Sequence, residues 1–186
     1  PCSTFAVDEI YISIENLYET MSLPLTIQKV STDRADYEHA RTLKTKYLKR
    51  AFEVFEPTKA YKAFLKEAFW LKEYAQFMAL REANEQKSWV EWTVFNVDKK
   101  ELEYQYFLQY VFYTQWMKLK QYANDLGVKI MGDIPIYLGH DSAEVYFNRD
   151  LFHLDVDGRP RLVAGVPPDY FSDEGQLWGN PIYDWD

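Results

Sequence analysis

The chain has 186 residues, 47% of them hydrophobic, and carries 15 Tyr, 12 Phe and 6 Trp. That is enough for one compact domain with a sizeable core. A net charge of -8, from 29 acidic and 21 basic residues, argues against nucleic acid or an anionic membrane as partner, because both need a basic surface.

Cys2 is the single cysteine, so neither an internal disulfide nor a structural zinc cluster is expected. His39, His140 and His153 lie far apart, without metal-ligand spacing. A reducing cytoplasm is the expected setting. No apolar run approaches the roughly 20 residues that span a bilayer. The opening Pro1-Cys2-Ser3-Thr4 lacks the basic and apolar regions of a signal peptide. With no initiating Met, the chain reads as cut from something longer, or processed.

In chain order, Ile10-Tyr11-Ile12-Ser13-Ile14 alternates like a short strand. Leu17 to Leu25 reads as a turn into helical territory. Ser31, Thr32 or Asp33 can cap a helix. Tyr37, Ala40, Leu43, Tyr47, Leu48, Ala51 and Phe55 then recur at three-and-four spacing, one apolar face. Glu56-Pro57 ends it, because the residue before a proline avoids the helical region. A second helix follows Pro57, with Tyr61, Phe64, Leu65, Ala68, Leu71, Ala75 and Met78 as its stripe. Residues 84–96, with Trp89 and Trp92, read as a connection.

A third helix runs from about Lys99 to Asp125, apolar at Leu102, Tyr106, Tyr110, Tyr113 and Met117. Phe107, Phe112, Trp116 and Leu119 widen the face, so burial more than halfway round is expected. Gly127 suits a left-handed C-cap. Val128 to Tyr137 is a short, β-branched apolar run, and helix, glycine, buried strand is the grammar of an α/β unit. Four of the eight prolines and four of the seven glycines lie after residue 155, so the chain is expected to be loop-rich there. Asp141 or Ser142 caps a short helix, and Asp155-Val156-Asp157-Gly158 is a tight turn that falls short of a calcium loop.

Val163 to Ser172, then Gly175 to Pro181, fits no helix or strand period and reads as a loop. It carries large rings together with Asp, Asn and Gln. That mixture suits a sugar, whose C–H face packs on a flat ring while polar groups bond its hydroxyls. Pro167-Pro168 stiffens the entry, and a stiff loop loses less entropy on clamping a ligand. Asp169, Tyr170, Phe171, Trp178 and Asn180 are the candidates; the competing reading has the rings pin the loop to the core. Asp133 sits near the C-terminal end of the expected strand, where α/β folds meet ligands. Its competing reading is a strand-ending Asp bonded to a neighbouring amide. Asp133, Asp141, Asp169, Asp173 and Glu174 include no carboxylate pair that stands out by spacing, although glycoside chemistry generally needs two.

Gly132-Asp133-Ile134-Pro135-Ile136-Tyr137, Asp141-Ser142-Ala143-Glu144-Val145, Val163 to Ser172 and Gly175-Gln176-Leu177-Trp178-Gly179-Asn180-Pro181 resemble the amylomaltase family, the 4-α-glucanotransferases. Gln115-Trp116, Lys120, Tyr122-Ala123-Asn124, Trp70 to Leu80 and Ser3-Thr4-Phe5-Ala6 extend the likeness over nearly the whole chain. The resemblance implies an α/β fold: part of a (β/α)8 barrel with a mainly helical insertion. Residues 1–25 would be barrel-derived, 26–98 the insertion, 99–138 a barrel helix and its third strand, and 139–186 an active-site lid. It implies transfer of α-1,4-glucan segments by a retaining double displacement, with maltooligosaccharide as substrate and no cofactor. Asp133 would then lie in the cleft, Asp169, Tyr170 and Phe171 on the acceptor side, and Trp178 and Asn180 would brace or contact glucan.

In that family the nucleophilic Asp, the acid/base Glu and a stabilising Asp follow the Gly-Asn-Pro run. No nucleophile or acid/base is therefore assigned here, and the isolated chain is expected to be inactive. Surfaces exposed by a cut barrel would favour self-association. Two alternatives are a non-catalytic glucan-binding module and a helical protein-interaction domain over residues 31–125.

Overall fold

Short polar side chains set where the helices begin. The computed structural model describes residues 2–27 and 33–185. Asp8 accepts from the Ile10 N–H and opens a 3-10 turn at Glu9–Tyr11. Ser13 accepts from the Asn16 N–H and opens α1 (Ile14–Thr20). Asp36 caps α2 (Tyr37–Glu53) through the His39 N–H, and Thr58 caps α3 (Lys59–Glu67) through Tyr61. Then come α4 (Leu71–Ala83), α5 (Lys99–Asp125) and α6 (Ala143–Phe147), the last capped by Ser142. Each bond pairs an N–H that the first helical turn leaves open.

Several expectations are corrected. Ile10–Ile14 is not a strand: Ile10 and Tyr11 lie in the 3-10 turn, Ile12 and Ser13 are extended single residues between helices, and Ile14 opens α1. The alternation of Ile12 and Ile14 reports their burial, while the caps Asp8 and Ser13 decide the local structure. Of the three proposed caps for α2, Ser31 and Thr32 lie outside the described residues, and Asp33 precedes the helix that Asp36 starts. The single helix expected after Pro57 is two, broken at Ala68–Trp70. The break lets one apolar stripe serve two cores, with Tyr61 and Phe64 on one side of it and Leu71, Tyr74 and Phe77 on the other.

Gly127 ends α5 in the left-handed region at φ 77, as expected, with the Val128 N–H bonded to the Ala123 carbonyl. The run 128–137, however, pairs with no other strand among the described residues. Met131 is 97% exposed, and Ile134 and Ile136 are each 77% exposed. Its apolar pattern supplies the side chains of a buried strand, but a ladder also needs neighbours.

The chain folds into two compact units. One comprises Val7–Phe69 and Glu103–Met131. Its core joins Ile12, Leu17 and Tyr18 to Leu48, Ala51, Phe107, Leu108 and Val111. Phe107 is fully buried, its ring 4.9 Å from Phe55 and 5.5 Å from Phe52 between centroids. The irregular N-terminal segment is held by amides of α5. Gln109 donates to the Val7 carbonyl at 2.8 Å and accepts from the Val7 N–H at 3.1 Å. Gln115 does the same to Ser13, at 2.9 and 2.8 Å. Lys44 donates to the carbonyls of Ile10 and Ile12.

α5 is buried over Tyr104–Val111, whereas Tyr113, Trp116, Met117, Leu119 and Tyr122 are exposed. Its second half thus departs from the wide burial expected of it. No described helix is long and apolar enough to cross a membrane.

The other unit comprises the segment ending at Ala6, Trp70–Leu102 and the chain from Gly132 onward. Its core gathers Tyr74, Phe77, Leu80, Trp89, Trp92, Leu138, Val145 and Phe152. The connection 84–96 therefore contributes two core tryptophans. Asn84 fixes it, accepting from the Thr93 and Val94 N–H groups and donating to the Val94 and Leu80 carbonyls. Glu144 accepts from the Ser3 hydroxyl at 2.6 Å and the Thr4 N–H at 2.8 Å. Asp155 closes the expected tight turn onto Asp157 and Arg159. The two units cut across the four consecutive segments read from the sequence.

Phe107→Ala should cost about 3–5 kcal/mol, the range for emptying a packed aromatic site, read as a lower urea midpoint at unchanged slope. A smaller acid-side effect is expected at Asp8. Burial acts to raise its pKa, but the Arg41 hydrogen bond, the Ile10 N–H and the charges of Arg41 and Lys44 leave it below 3.8. A depressed carboxylate stabilises the fold above the unfolded value, and that contribution disappears as pH falls through the folded one. Asp8→Asn should therefore lose about 0.5 kcal/mol or less at pH 7, because the pair with Arg41 is half exposed. Thermal melts of the two proteins should converge only once the pH has fallen through the depressed folded pKa of Asp8.

Candidate functional site

The stretch read as a loop is a β-hairpin. β1 (Val163–Val166) pairs antiparallel with β2 (Gln176–Pro181), with Gly165 opposite Leu177, Val166 opposite Gln176 and a bulge between Val163 and Gly165. Its strands are too short and too glycine-rich for alternation to show in the sequence. Only residues 167–175 form the connecting tip.

The tip is shaped by its own polar groups. The Asp169 carboxylate accepts from the Phe171 N–H at 2.9 Å and the Ser172 N–H at 3.0 Å, and the Ser172 hydroxyl donates to the Gly175 carbonyl at 2.7 Å. Gly175 sits at φ 74, and a Cβ there would lie 2.5 Å from the Val166 carbonyl oxygen. With the backbone satisfied inside the turn, the neighbouring rings point outward. Tyr170 is 96% and Phe171 84% exposed, their rings perpendicular at 5.5 Å. These rings do not pin the tip to the core. Tyr170 and Phe171 thus form an exposed aromatic pair at the tip.

On β2, the half-exposed Trp178 donates its indole N–H to Gln176 Oε1 at 3.0 Å and meets the Tyr137 ring edge-on at 6.2 Å. Asn180 donates to the Leu138 carbonyl at 2.7 Å, which commits its amide nitrogen to bracing. Asp133 is exposed and accepts from the N–H of its neighbour Ile134. The structure thus brings Trp178 and Asn180 against Tyr137 and Leu138. Tyr170 and Phe171 stand together at the tip, and Asp133 lies four residues before Tyr137 on the braced segment.

Sequence reasoning missed Tyr137, Gln176 and Tyr183 as parts of this arrangement. Gln176 shares a face with Trp178 only because the stretch is a strand, where residues two apart lie on one side. Tyr137 and Tyr183 were not legible either, because only the fold stacks their rings, at 6.4 Å and 18°. Burial, the Glu144 charge and Tyr137 all push the Tyr183 hydroxyl pKa up, so it stays a proton donor to the Ile136 carbonyl at 3.0 Å.

A groove of about 920 Å³ lies on the unit that contains α1 and α2, lined by Phe55, Tyr110, Tyr122 and Lys118 among others. None of the six expected site residues lines it. Among the described residues no group of three or more His, Cys, Asp or Glu could hold a metal ion.

The family model for 4-alpha-glucanotransferase matches residues 1–186. The chain belongs to this family. It is 39% identical to the 4-alpha-glucanotransferase of Aquifex aeolicus over 99% of its own length, and 39% identical to that of Thermus thermophilus over the same share. It spans 41% of each of these relatives. Its fold superposes on the amylomaltase from Streptococcus agalactiae in complex with acarbose with a TM-score of 0.87 and 34% identity, covering 100% of this chain and 42% of that one. The amylomaltase from Corynebacterium glutamicum, at 20% identity, shares the fold over 98% of this chain with a TM-score of 0.75.

The hairpin of this 4-alpha-glucanotransferase family member depends on its tip glycine. Gly175→Ala adds a left-handed penalty of about 1–2 kcal/mol to a backbone clash. Amide exchange at Val166 and Leu177 should accelerate roughly tenfold or more, while exchange in α4 stays unchanged.

Proposed function

We propose that this chain carries the glucan-holding part of an enzyme that transfers α-1,4-glucan segments between maltooligosaccharides. The observation that carries the reading is the hairpin. Tyr170, Phe171 and Trp178 present their rings on a stiff, internally bonded support, and a pyranose offers a flat C–H face to such rings. The family membership and the acarbose-bound relative support a sugar as the ligand.

In this reading the hairpin is a lid. A retaining transfer proceeds through a covalent glycosyl intermediate, formed and resolved by two carboxyl groups roughly 5–5.5 Å apart. Transfer outruns hydrolysis only where water is held away while the acceptor enters. Tyr170 and Phe171 cover the acceptor side, Trp178 stacks on glucan, and Asp133 and the second oxygen of Asp169 bond sugar hydroxyls. Asn180 acts as the brace. The bond-breaking carboxylates come from parts of the longer enzyme outside these 186 residues.

The finer fold follows the same logic. Residues 128–137 are a strand of a (β/α)8 barrel, and neighbouring strands would cover Met131, Ile134 and Ile136. Residues 26–98 are the helical insertion, and 139–186 the lid excursion. The exposed apolar side chains also favour self-association of the isolated chain. The cytoplasm is the compartment proposed.

The isolated chain should release no glucose from maltotriose; glucose with longer products would overturn the assignment of the carboxylates elsewhere. Calorimetry with maltoheptaose should show weak binding, reduced about three- to tenfold by Trp178→Ala or Phe171→Ala, as for loss of one stacked ring. Unchanged binding in both variants, with the fold intact, would remove the hairpin from the site.

A further inference from the structure

Trp178 rests edge-on against the ring of Tyr137, a residue of the same unit. Its neighbour Tyr137 has no cap or helix to hold it, and the segment around it forms no ladder. The carbonyls on either side of Tyr137 are nevertheless both bonded by side chains from the far end of the chain. The Ile136 carbonyl accepts from the Tyr183 hydroxyl at 3.0 Å, and the Leu138 carbonyl accepts from the Asn180 amide at 2.7 Å. Between these two bonds the Tyr183 ring lies nearly parallel to the Tyr137 ring, 6.4 Å away.

Tyr183 is in turn fixed from behind. Its backbone bridges Phe152 antiparallel. The His153 N–H donates to the Ile182 carbonyl and the Asp184 N–H to the Leu151 carbonyl, each at 2.9 Å. The Phe152 ring, part of the buried core, lies 5.0 Å from the Tyr183 ring. A run of ring contacts thus leads from core Phe152 through Tyr183 and Tyr137 to the half-exposed Trp178, tilted, parallel and edge-on in turn.

We propose that Tyr183 is a positioning residue: its ring and hydroxyl lock Tyr137 in place, and Tyr137 in turn sets the orientation of the Trp178 ring toward glucan. This rests on the reading of the hairpin as glucan-holding, but adds a residue that touches no sugar. The physical gain is preorganisation. A ring held at one angle before the ligand arrives loses less freedom on binding. The same lock ties the segment carrying Asp133 to β2, so the acidic and aromatic parts of the site share one support.

The test uses the 186-residue chain with 15N-labelled tryptophan, the Trp178 indole resonance being identified by its loss in Trp178→Phe. Tyr183→Leu removes ring stacking and hydroxyl together, while Tyr183→Phe keeps the ring and guards against simple loss of fold. The Trp178 resonance should shift in both, more in Tyr183→Leu, with the core indoles of Trp89 and Trp92 unmoved. Affinity for maltoheptaose should fall about fivefold in Tyr183→Leu, the scale of one lost ring contact or hydrogen bond. Tyr183→Leu combined with Trp178→Ala should be no worse than Trp178→Ala alone.

An unmoved Trp178 resonance in Tyr183→Leu, or affinity losses that add in the double variant, would overturn the proposal. If the wild-type chain binds no maltoheptaose, the glucan reading fails, and the indole resonances still decide whether Tyr183 positions Trp178.

Discussion

A buried peptide group must find a hydrogen-bond partner, and among the described residues one short hairpin is the only sheet. Between its helices the backbone is irregular, and polar side chains take the place of the missing ladder. Gln109 and Gln115 each present a carbonyl and an amide to one residue of the N-terminal segment, as a neighbouring strand would. Asn84 does this for Val94, Glu144 gathers Ser3 and Thr4, and Asn180 holds Leu138. These bonds link residues up to 141 positions apart. Losing one partner leaves the other unpaired, which is the expensive outcome.

Aromatic side chains divide by the same logic. In the two cores rings pack inward: Phe52, Phe55 and Phe107 form one cluster, and Phe77, Trp92 and Tyr146 another. At the hairpin tip the polar groups of Asp169 and Ser172 are used to shape the turn, and nothing packs over Tyr170 and Phe171. Their exposure removes the competing reading in which they anchor the loop. It leaves both rings open to solvent at the hairpin tip.

The carboxylates follow a different course. Asp133 and Asp169 both bond backbone amides one to three residues away, the bland role that any Asp in a turn can fill. Asp141 pairs with Arg81 and bonds the Trp89 N–H. What these carboxylates contribute here is local stiffness, each one bonding backbone or a neighbouring charge. The joint at Tyr137 and Leu138 gives the hairpin and the acidic segment a common footing.

Much of the local structure was legible in the residues. Ser142 and Gly127 act as the caps they resemble, Asp155 turns the chain as its spacing suggests, and the long helix over Lys99–Asp125 follows its period. The family motifs were equally plain, since a run such as Gly175 to Pro181 carries identity without any structure. What local pattern could not show was which core a side chain would join. One stripe over Tyr61–Met78 became two helices because its halves pack in different units. A strand-like run at Val128–Tyr137 formed no ladder, since pairing needs a neighbour. Sequence by itself thus determined the caps, the turns, the long helix and the family, because each depends on residues close together or on identity alone. Tertiary structure decided which rings are buried, which face outward and which support Trp178, because those outcomes depend on groups brought together from across the chain.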